Sequence, residues 1–339
     1  MKLSKLNIIS KIDEIDLYAW NLLIQESDEN CEFQSHEMFS FWNNQKGYQP
    51  FVFAVKDEKG MLKCICTVVI IENGKGLKKY ISRRAIVYGG PIFKKGENKK
   101  EVLLFLLEKM DTVLSTKATY IEIRNFQDYS EFKEVYEIKN WKYIPYQNYK
   151  IALTNEDEVF ALFNAEKRRQ IRKALREGIS ISYGNTEENI INIYEVIAKI
   201  YNDKVKKPLP SLSFFKDLMK LNNTNAAAVV FENKVIGGAF FLYDDNEIYD
   251  WYRGGLDYEY KKKYPSTVAA WAVMKYGLEN KIYSFDFMGA GIKGEEYGVR
   301  KFKSQFGGEL VEYGRFIKLY KPTLYKVGKF GLKLLKRLR

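Results

Sequence analysis

The sequence predicts an α/β (α+β) protein of two tandem domains, each a mixed, mostly antiparallel sheet flanked by helices. Three observations predict it. The chain has 339 residues, 46% of them hydrophobic and 29% charged, enough for two globular cores. Short alternating apolar runs, split by polar turns, recur with helical stretches between them. The same order of elements also occurs twice, half a chain length apart. A repeat that long indicates a duplicated domain, since solenoid periods run about 20–50 residues.

In the first half, PFVFAVKDEKGMLKCICTVVII reads as a β-hairpin turning at residues 57–60. Residues 86–125 then give an aromatic strand ending in Gly89-Gly90, a polar loop, an apolar-periodic helix and a second alternating strand. In the second half, AAAVVFENKVIGGAFFLY is the matching hairpin, turning at residues 232–234. Residues 250–289 repeat the unit, with Gly254-Gly255 in place of Gly89-Gly90 and Phe285-Asp286-Phe287 in place of Ile121-Glu122-Ile123. Helical spacing marks residues 157–163, 164–178, 188–201 and 213–221, with Gly178 placed to end its helix in the left-handed region. Residues 139–153 read as the bridge. The expected domains are 1–150 and 151–317, followed by a basic tail at 318–339.

Composition excludes several classes. Cys31, Cys64, Cys66 and the single histidine, His36, are too few for a structural zinc site, and no metal is expected. Sparse, odd-numbered cysteines suit a reducing compartment. The N-terminal stretch is broken by acids and lacks the apolar core of a signal peptide. The strongest apolar runs, such as residues 102–107, are far too short to span a bilayer. The expectation is a cytoplasmic protein. The net charge of +12 is uneven, because residues 318–339 carry eight basic side chains and no acid, leaving only +4 elsewhere. That argues against a general nucleic-acid binder and against a duplex DNA partner.

The second half also holds a set of ordered motifs: the basic segment KRRQIRKALREGISI, the strand end DWYRGG, the strand end SFDFMG and the closing string YGVRKFKSQFGGELVEY. In the first half, Phe33-Gln34-Ser35 and Gly89-Gly90-Pro91 are weaker marks. In order and spacing these motifs, over most of residues 30–316, resemble the FemAB family of peptidoglycan aminoacyltransferases, close to BioF-like acetyltransferases. The resemblance implies two tandem GNAT-like domains. It implies an acyltransferase that moves an aminoacyl or acyl group onto an amine of a cell-envelope precursor. That acceptor is a peptidoglycan precursor or an amino sugar of a surface polysaccharide. The donor would be aminoacyl-tRNA or acyl-CoA, with no tightly bound cofactor. Two departures stand out. The long charged helical hairpin of some relatives is absent. The GNAT pyrophosphate loop, Arg/Gln-x-x-Gly-x-Gly/Ala, is replaced by KKKYPSTVAAW at residues 261–271, where a helix N-terminus remains as a candidate anion site.

By resemblance, Lys303 contacts the reacting acyl group or the tRNA end. Physically, an ammonium between two aromatics beside Gly307-Gly308 can steady an oxyanion, or it is a surface lysine on an apolar strand. Asp286, ending a strand, either orients the acceptor amine or caps the next loop. Trp251, Tyr252 and Arg253 line a cleft or pack a strand. Alternation puts Trp251 and Arg253 on one face and Tyr252 on the other. Tyr297 and Arg300 lie on the approach to Lys303. Arg169 and Arg172 share a helix face with Arg176, while Ile171 and Leu175 pack the opposite side. This ridge binds phosphate of a nucleotide-linked precursor or tRNA, or is a solvated face. Lys46 is a candidate phosphate ligand of the first domain, and His36 reads as structural.

The tail, TLYKVGKFGLKLLKRLR, is amphipathic if helical, with Leu324, Val327, Leu334, Leu335 and Leu338 opposed to Lys326, Lys329, Lys333, Lys336 and Arg337. It either lies on the inner face of the membrane as a peripheral anchor or docks on the protein body. Two alternatives remain at this point: an acyl-CoA-dependent N-acetyltransferase of a sugar or small amine, and a non-catalytic scaffold or nucleic-acid-binding module.

Overall fold

The computed structural model describes residues 6–337. The chain forms two compact units: Met1–Pro145 with Tyr313–Arg339, and Tyr146–Glu312.

In unit 1 the strands are β1 (Asn7–Ile9), β2 (Tyr48–Lys56), β3 (Leu62–Ile71), β4 (Arg84–Gly89), β5 (Ile92–Phe93), β6 (Tyr120–Asn125), β7 (Lys142–Ile144) and the late β16 (Arg315–Leu319). They order as β1-β2-β3-β4-β6-β16-β7, with β5 against β3. Among the described strands of this unit, only β4 and β6 run parallel. The helices are α1 (Leu17–Glu26), α2 (His36–Asn43), α3 (Gly76–Ser82), α4 (Lys99–Leu114), α5 (Lys133–Ile138) and the late α12 (Pro322–Arg337). Ser35 caps α2, its hydroxyl accepting from Met38 N at 3.1 Å. Buried Gln34 joins two strands: its amide donates to Thr67 O (3.2 Å) and Tyr88 O (2.7 Å), and its oxygen accepts from Thr67 N (2.6 Å). The core is the apolar face of α4 laid on alternate residues of β2, β3, β4 and β6, with Cys64 and Cys66 both inside.

Unit 2 repeats the plan. Its strands are β8 (Tyr146–Ala152), β9 (Ser180–Tyr183), β10 (Thr224–Phe231), β11 (Lys234–Tyr243), β12 (Glu247–Gly255), β13 (Ser284–Asp286), β14 (Gly291–Ile292) and β15 (Glu309–Val311). The order is β14-β8-β13-β12-β11-β10-β9, with β15 on β8, and β12–β13 is the parallel pair. The helices are α6 (Glu156–Leu162), α7 (Ala165–Arg176), α8 (Glu187–Ile200), α9 (Leu212–Leu218), α10 (Pro265–Glu279) and α11 (Gly298–Ser304). Glu232 and Asn233 both take positive φ (48° and 61°), which closes the two-residue β10–β11 hairpin. Helix α10 is apolar almost all round, and residues such as Val268, Ala272 and Met274 are fully buried beneath the sheet.

The domain limits differ from the expected 1–150, 151–317 and separate tail. The bridge region is itself two strands, β7 and β8, that part at Pro145 and join different sheets. After unit 2 the chain returns to unit 1, where β16 pairs with β6 and β7. The tail is therefore part of unit 1. Among the tail residues named above, Leu334, Leu335 and Leu338, with Lys333, Lys336 and Arg337, fall outside the described side chains. No helix among the described residues is long and apolar enough to cross a membrane.

Candidate functional site

The two parallel strand pairs differ in one respect. In unit 1, β4 and β6 stay in register over six residues, from Arg84–Tyr120 to Gly89–Asn125. In unit 2, β12 and β13 pair only from Glu247–Ser284 to Tyr249–Asp286, although β12 runs on to Gly255. Past Asp286 the chain turns away through Met288, whose φ is 60°. A fork opens at Asp250, the first residue of β12 beyond the ladder.

Sequence explains the fork. A bulge lies at Asp250-Trp251, because Tyr249 pairs with Leu242 and Tyr252 with Phe240, leaving two residues opposite Phe241. Asp286 caps the departing turn: its Oδ1 accepts from Met288 N (2.5 Å) and Asn148 Nδ2 (2.6 Å). Lys303 and Arg300, both on α11, staple the following loop. Lys303 Nζ donates to Phe287 O (2.5 Å) and Gly289 O (2.6 Å). The Arg300 guanidinium donates to Ala290 O (2.8 Å), Glu295 O (2.9 Å) and Ile292 O. After α11 the chain must bend sharply, and Gly307 and Gly308 take φ of 71° and 79°. A Cβ on either would lie 2.4 Å from a backbone oxygen.

The fork is lined by cations separated by rings. Lys167 lies over Phe302 (4.3 Å), Arg253 over Phe302 (5.1 Å) and Phe287 (5.7 Å), and Lys303 over Phe287 (5.5 Å). Lys167 is 5% exposed and Lys303 7%. Burial lowers the pKa of Lys303 to about 8 against the opposing pull of Asp250; Arg253 lowers it further and Asp286 raises it. Burial likewise lowers Lys167 to about 8. Lys167 Nζ has neutral partners, Thr267 Oγ1 (2.9 Å) and Gln170 Oε1 (3.2 Å). Asp250 is 5% exposed. Its Oδ2 accepts from Arg253 Nε at 2.8 Å, while its Oδ1 has no protein partner among the described residues. Deeper in, Lys150 pairs with Glu247 beside Asp286. Burial raises both acids, Glu247 to about 7.

The N-terminus of α10 closes one wall. Gly255 must lack a side chain, since a Cβ there would sit 2.3 Å from Ser266 N. Pro265 has no N–H to offer. Ser266 N donates to Asp257 Oδ1 (3.2 Å), and its hydroxyl also bonds Asp257. Thr267 N and Val268 N both donate to Tyr264 O at 3.0 Å. The expected anion site is therefore occupied by the chain's own carboxylate and carbonyl. The early amides of α10 offer an incoming pyrophosphate no free donor.

The structure brings Lys303, Asp286, Arg253 and Arg300 together around the fork, and changes the setting of several. Lys303 is buried on a helix, not exposed on a strand. Trp251 does not share a face with Arg253. The bulge turns it toward Phe214 (5.8 Å), beside Tyr252 (5.1 Å), whereas Arg253 bonds Ser266 O on the α10 side. Tyr297, 40% exposed, and Arg300 line a shallow depression of about 430 Å³ with Glu295, Glu296, Lys301 and Ser304. Arg169, Arg172 and Arg176 are exposed on α7, with Arg172 over Phe160 at 5.2 Å. Leu175 is 41% exposed rather than packed; the buried face is Lys167, Gln170, Ile171 and Ala174. Lys46 is exposed in a turn of unit 1. His36 begins α2 and approaches Ser40 Oγ at 3.4 Å. Sequence reasoning missed Asp250, Asp257 and Lys167. Only Lys167 left a signal, a lysine at apolar spacing with Gln170, Ile171 and Ala174.

Comparison with known proteins adds a family to this geometry. Residues 220–333 match the FemAB family model. That third of the chain holds β12, α10, β13 and α11, and so most of the fork. The crystal structure of FemX is similar over 95% of this chain and 99% of its own, with a TM-score of 0.72 at 14% identity. A tandem GNAT protein from the clavulanic acid biosynthesis pathway covers 93% and 99%, with a TM-score of 0.58 at 10% identity. L-PGS from Bacillus licheniformis covers 93% and 96%, with a TM-score of 0.56 at 14% identity. No curated protein matches. The FemAB-like resemblance and the tandem GNAT-like fold both stand.

Proposed function

We propose that this chain transfers an aminoacyl group from aminoacyl-tRNA to an amine of a cell-envelope precursor, a peptidoglycan-type intermediate or a surface-polysaccharide amino sugar, at the fork of unit 2. The observation that carries the reading is the parallel ladder ending at Tyr249, so that buried Asp250 opens into the fork beside half-buried Arg253 and buried Lys303. In the reaction the amine nitrogen attacks the ester carbonyl. The carbon–nitrogen bond forms, the carbon–oxygen bond breaks, and the leaving oxygen takes up a proton. Asp250 Oδ1, buried and unpartnered, is suited to accept the proton the amine gives up. Arg253 and Lys303 set a positive field, in a water-poor site, where the oxyanion develops. Asp286, bonded to Met288 N and Asn148, fits a positioning role better than a catalytic one. Arg169 and Arg172, exposed on α7, are suited to phosphates of a large donor or a nucleotide-linked acceptor. Tyr297 and Arg300, with acidic Glu295 and Glu296 beside them, suit the approach of an amine.

The self-capped α10 N-terminus favours tRNA over acyl-CoA as donor, because a pyrophosphate there would meet Asp257 instead of free amides. An acyl-CoA-dependent N-acetyltransferase is the second reading, favoured by the GNAT-like fold and opposed by that cap. Calorimetric titration with acetyl-CoA and, separately, with a mixed aminoacyl-tRNA pool tests the choice. Saturable, salt-sensitive tRNA binding without a CoA signal is expected. CoA binding without tRNA preference would overturn it.

A further inference from the structure

Unit 1 carries a surface the transfer reaction does not use. Helix α12 packs against α3 through Gly328, where a Cβ would lie 3.2 Å from Ile81, and against β6 through Tyr325, whose ring meets Tyr120 at 5.0 Å. Lys321 ties the two helices by donating to the Tyr80 hydroxyl at 2.9 Å. This docking covers only part of the apolar arc of α12. Val327 remains 52% exposed and Phe330 66%, and Tyr80 on α3 is 40% exposed. Exposed lysines flank these side chains: Lys326 and Lys329 on α12, Lys75 and Lys78 at α3. No acid occurs in residues 75–84 or 318–339. The nearest one in sequence, Glu72, is already bound to Lys79 and Arg83. Sequence alone isolates the tail; the fold adds a second basic segment to it.

We propose that α3 and α12 together form a docking surface for an anionic phospholipid bilayer. Cations at the rim meet the headgroups, and Val327 and Phe330 enter the boundary of the acyl chains. Charge complementarity selects an anionic partner, and the exposed apolar side chains select lipid over nucleic acid. Phosphates give an exposed valine nothing, whereas burial in hydrocarbon rewards it. Each basic residue near such a surface raises partitioning about fivefold, so the patch as a whole suffices for reversible attachment. The surface lies outside the unit 2 fork and stands or falls separately from the proposed reaction.

The test is co-sedimentation of the full chain with vesicles of phosphatidylcholine alone and of phosphatidylcholine mixed with phosphatidylglycerol, at low and high salt. Binding to the mixed vesicles alone, weakened by salt, is expected. A V327S/F330S variant and a K326E/K329E variant, each checked for an unchanged circular dichroism spectrum, should each lower partitioning at least tenfold. The proposal is overturned by no vesicle binding, by equal binding to neutral vesicles, or by unchanged binding of V327S/F330S. Retention of polyadenylate by this surface, lost in K326E/K329E but not in V327S/F330S, would overturn it in favour of a nucleic-acid site.

Discussion

Lys303→Met probes the fork without needing a substrate. The wild-type ammonium is buried, donates to Phe287 O and Gly289 O, and has its pKa lowered from 10.5 to about 8. Between those two values the unfolded chain holds a proton that the folded chain has released, so unfolding free energy rises with pH there. Below the folded value the full penalty applies, roughly 3 kcal/mol at about 1.4 kcal/mol per pKa unit. Methionine removes that penalty but strands two carbonyl oxygens, at about 1–3 kcal/mol each. The two terms nearly cancel or favour the wild type at neutral pH. The pH slope is the sharper readout. Chemical denaturation from pH 7 to 10 should show wild-type stability climbing relative to K303M above pH 8, at up to about 1.4 kcal/mol per pH unit. Parallel curves for the two proteins would mean that Lys303 titrates as an ordinary exposed lysine and would refute the buried-cation reasoning.

Three further perturbations test separate parts of the structure. Asp257→Ala frees the Ser266 amide. It should cost about 1 kcal/mol of stability and give acetyl-CoA a titratable site that the wild type lacks, both read by thermal melts and calorimetry. Asp250→Asn keeps an acceptor for Arg253 but removes the base. Transfer should fall about 10²–10⁴-fold with donor affinity little changed, as single-turnover kinetics would reveal. Gln34→Leu breaks three bonds that hold β3 and β4 together within unit 1. It should destabilise the protein by about 3 kcal/mol in urea titrations while sparing the folded fraction's activity.

What the sequence disclosed was local. The hairpins, α7 with its Gly178 terminator, and the strand ending at Asp286 are written in periodicity and turn chemistry. The pairing of β8 with β13, and of β16 with β6, joins segments more than a hundred residues apart and leaves no local pattern. The same holds in the site. The closing string drew attention to Lys303, but its burial depends on Phe287 and the turn that Asp286 holds. The alternation rule failed at Trp251 because a single bulge reverses a face. Asp257 caps Ser266 across nine residues of irregular chain, so nothing in KKKYPSTVAAW foretells that its amides are taken.

The measurement closest to the central claim is where the donor's reactive end rests. A photo-crosslinkable aminoacyl-tRNA, bound to the full chain and mapped by mass spectrometry, should label β12 around Asp250–Arg253 and the segment from Phe287 through α11. Labelling confined to unit 1, along the closed β4–β6 ladder, would contradict the assignment of acyl transfer to the fork.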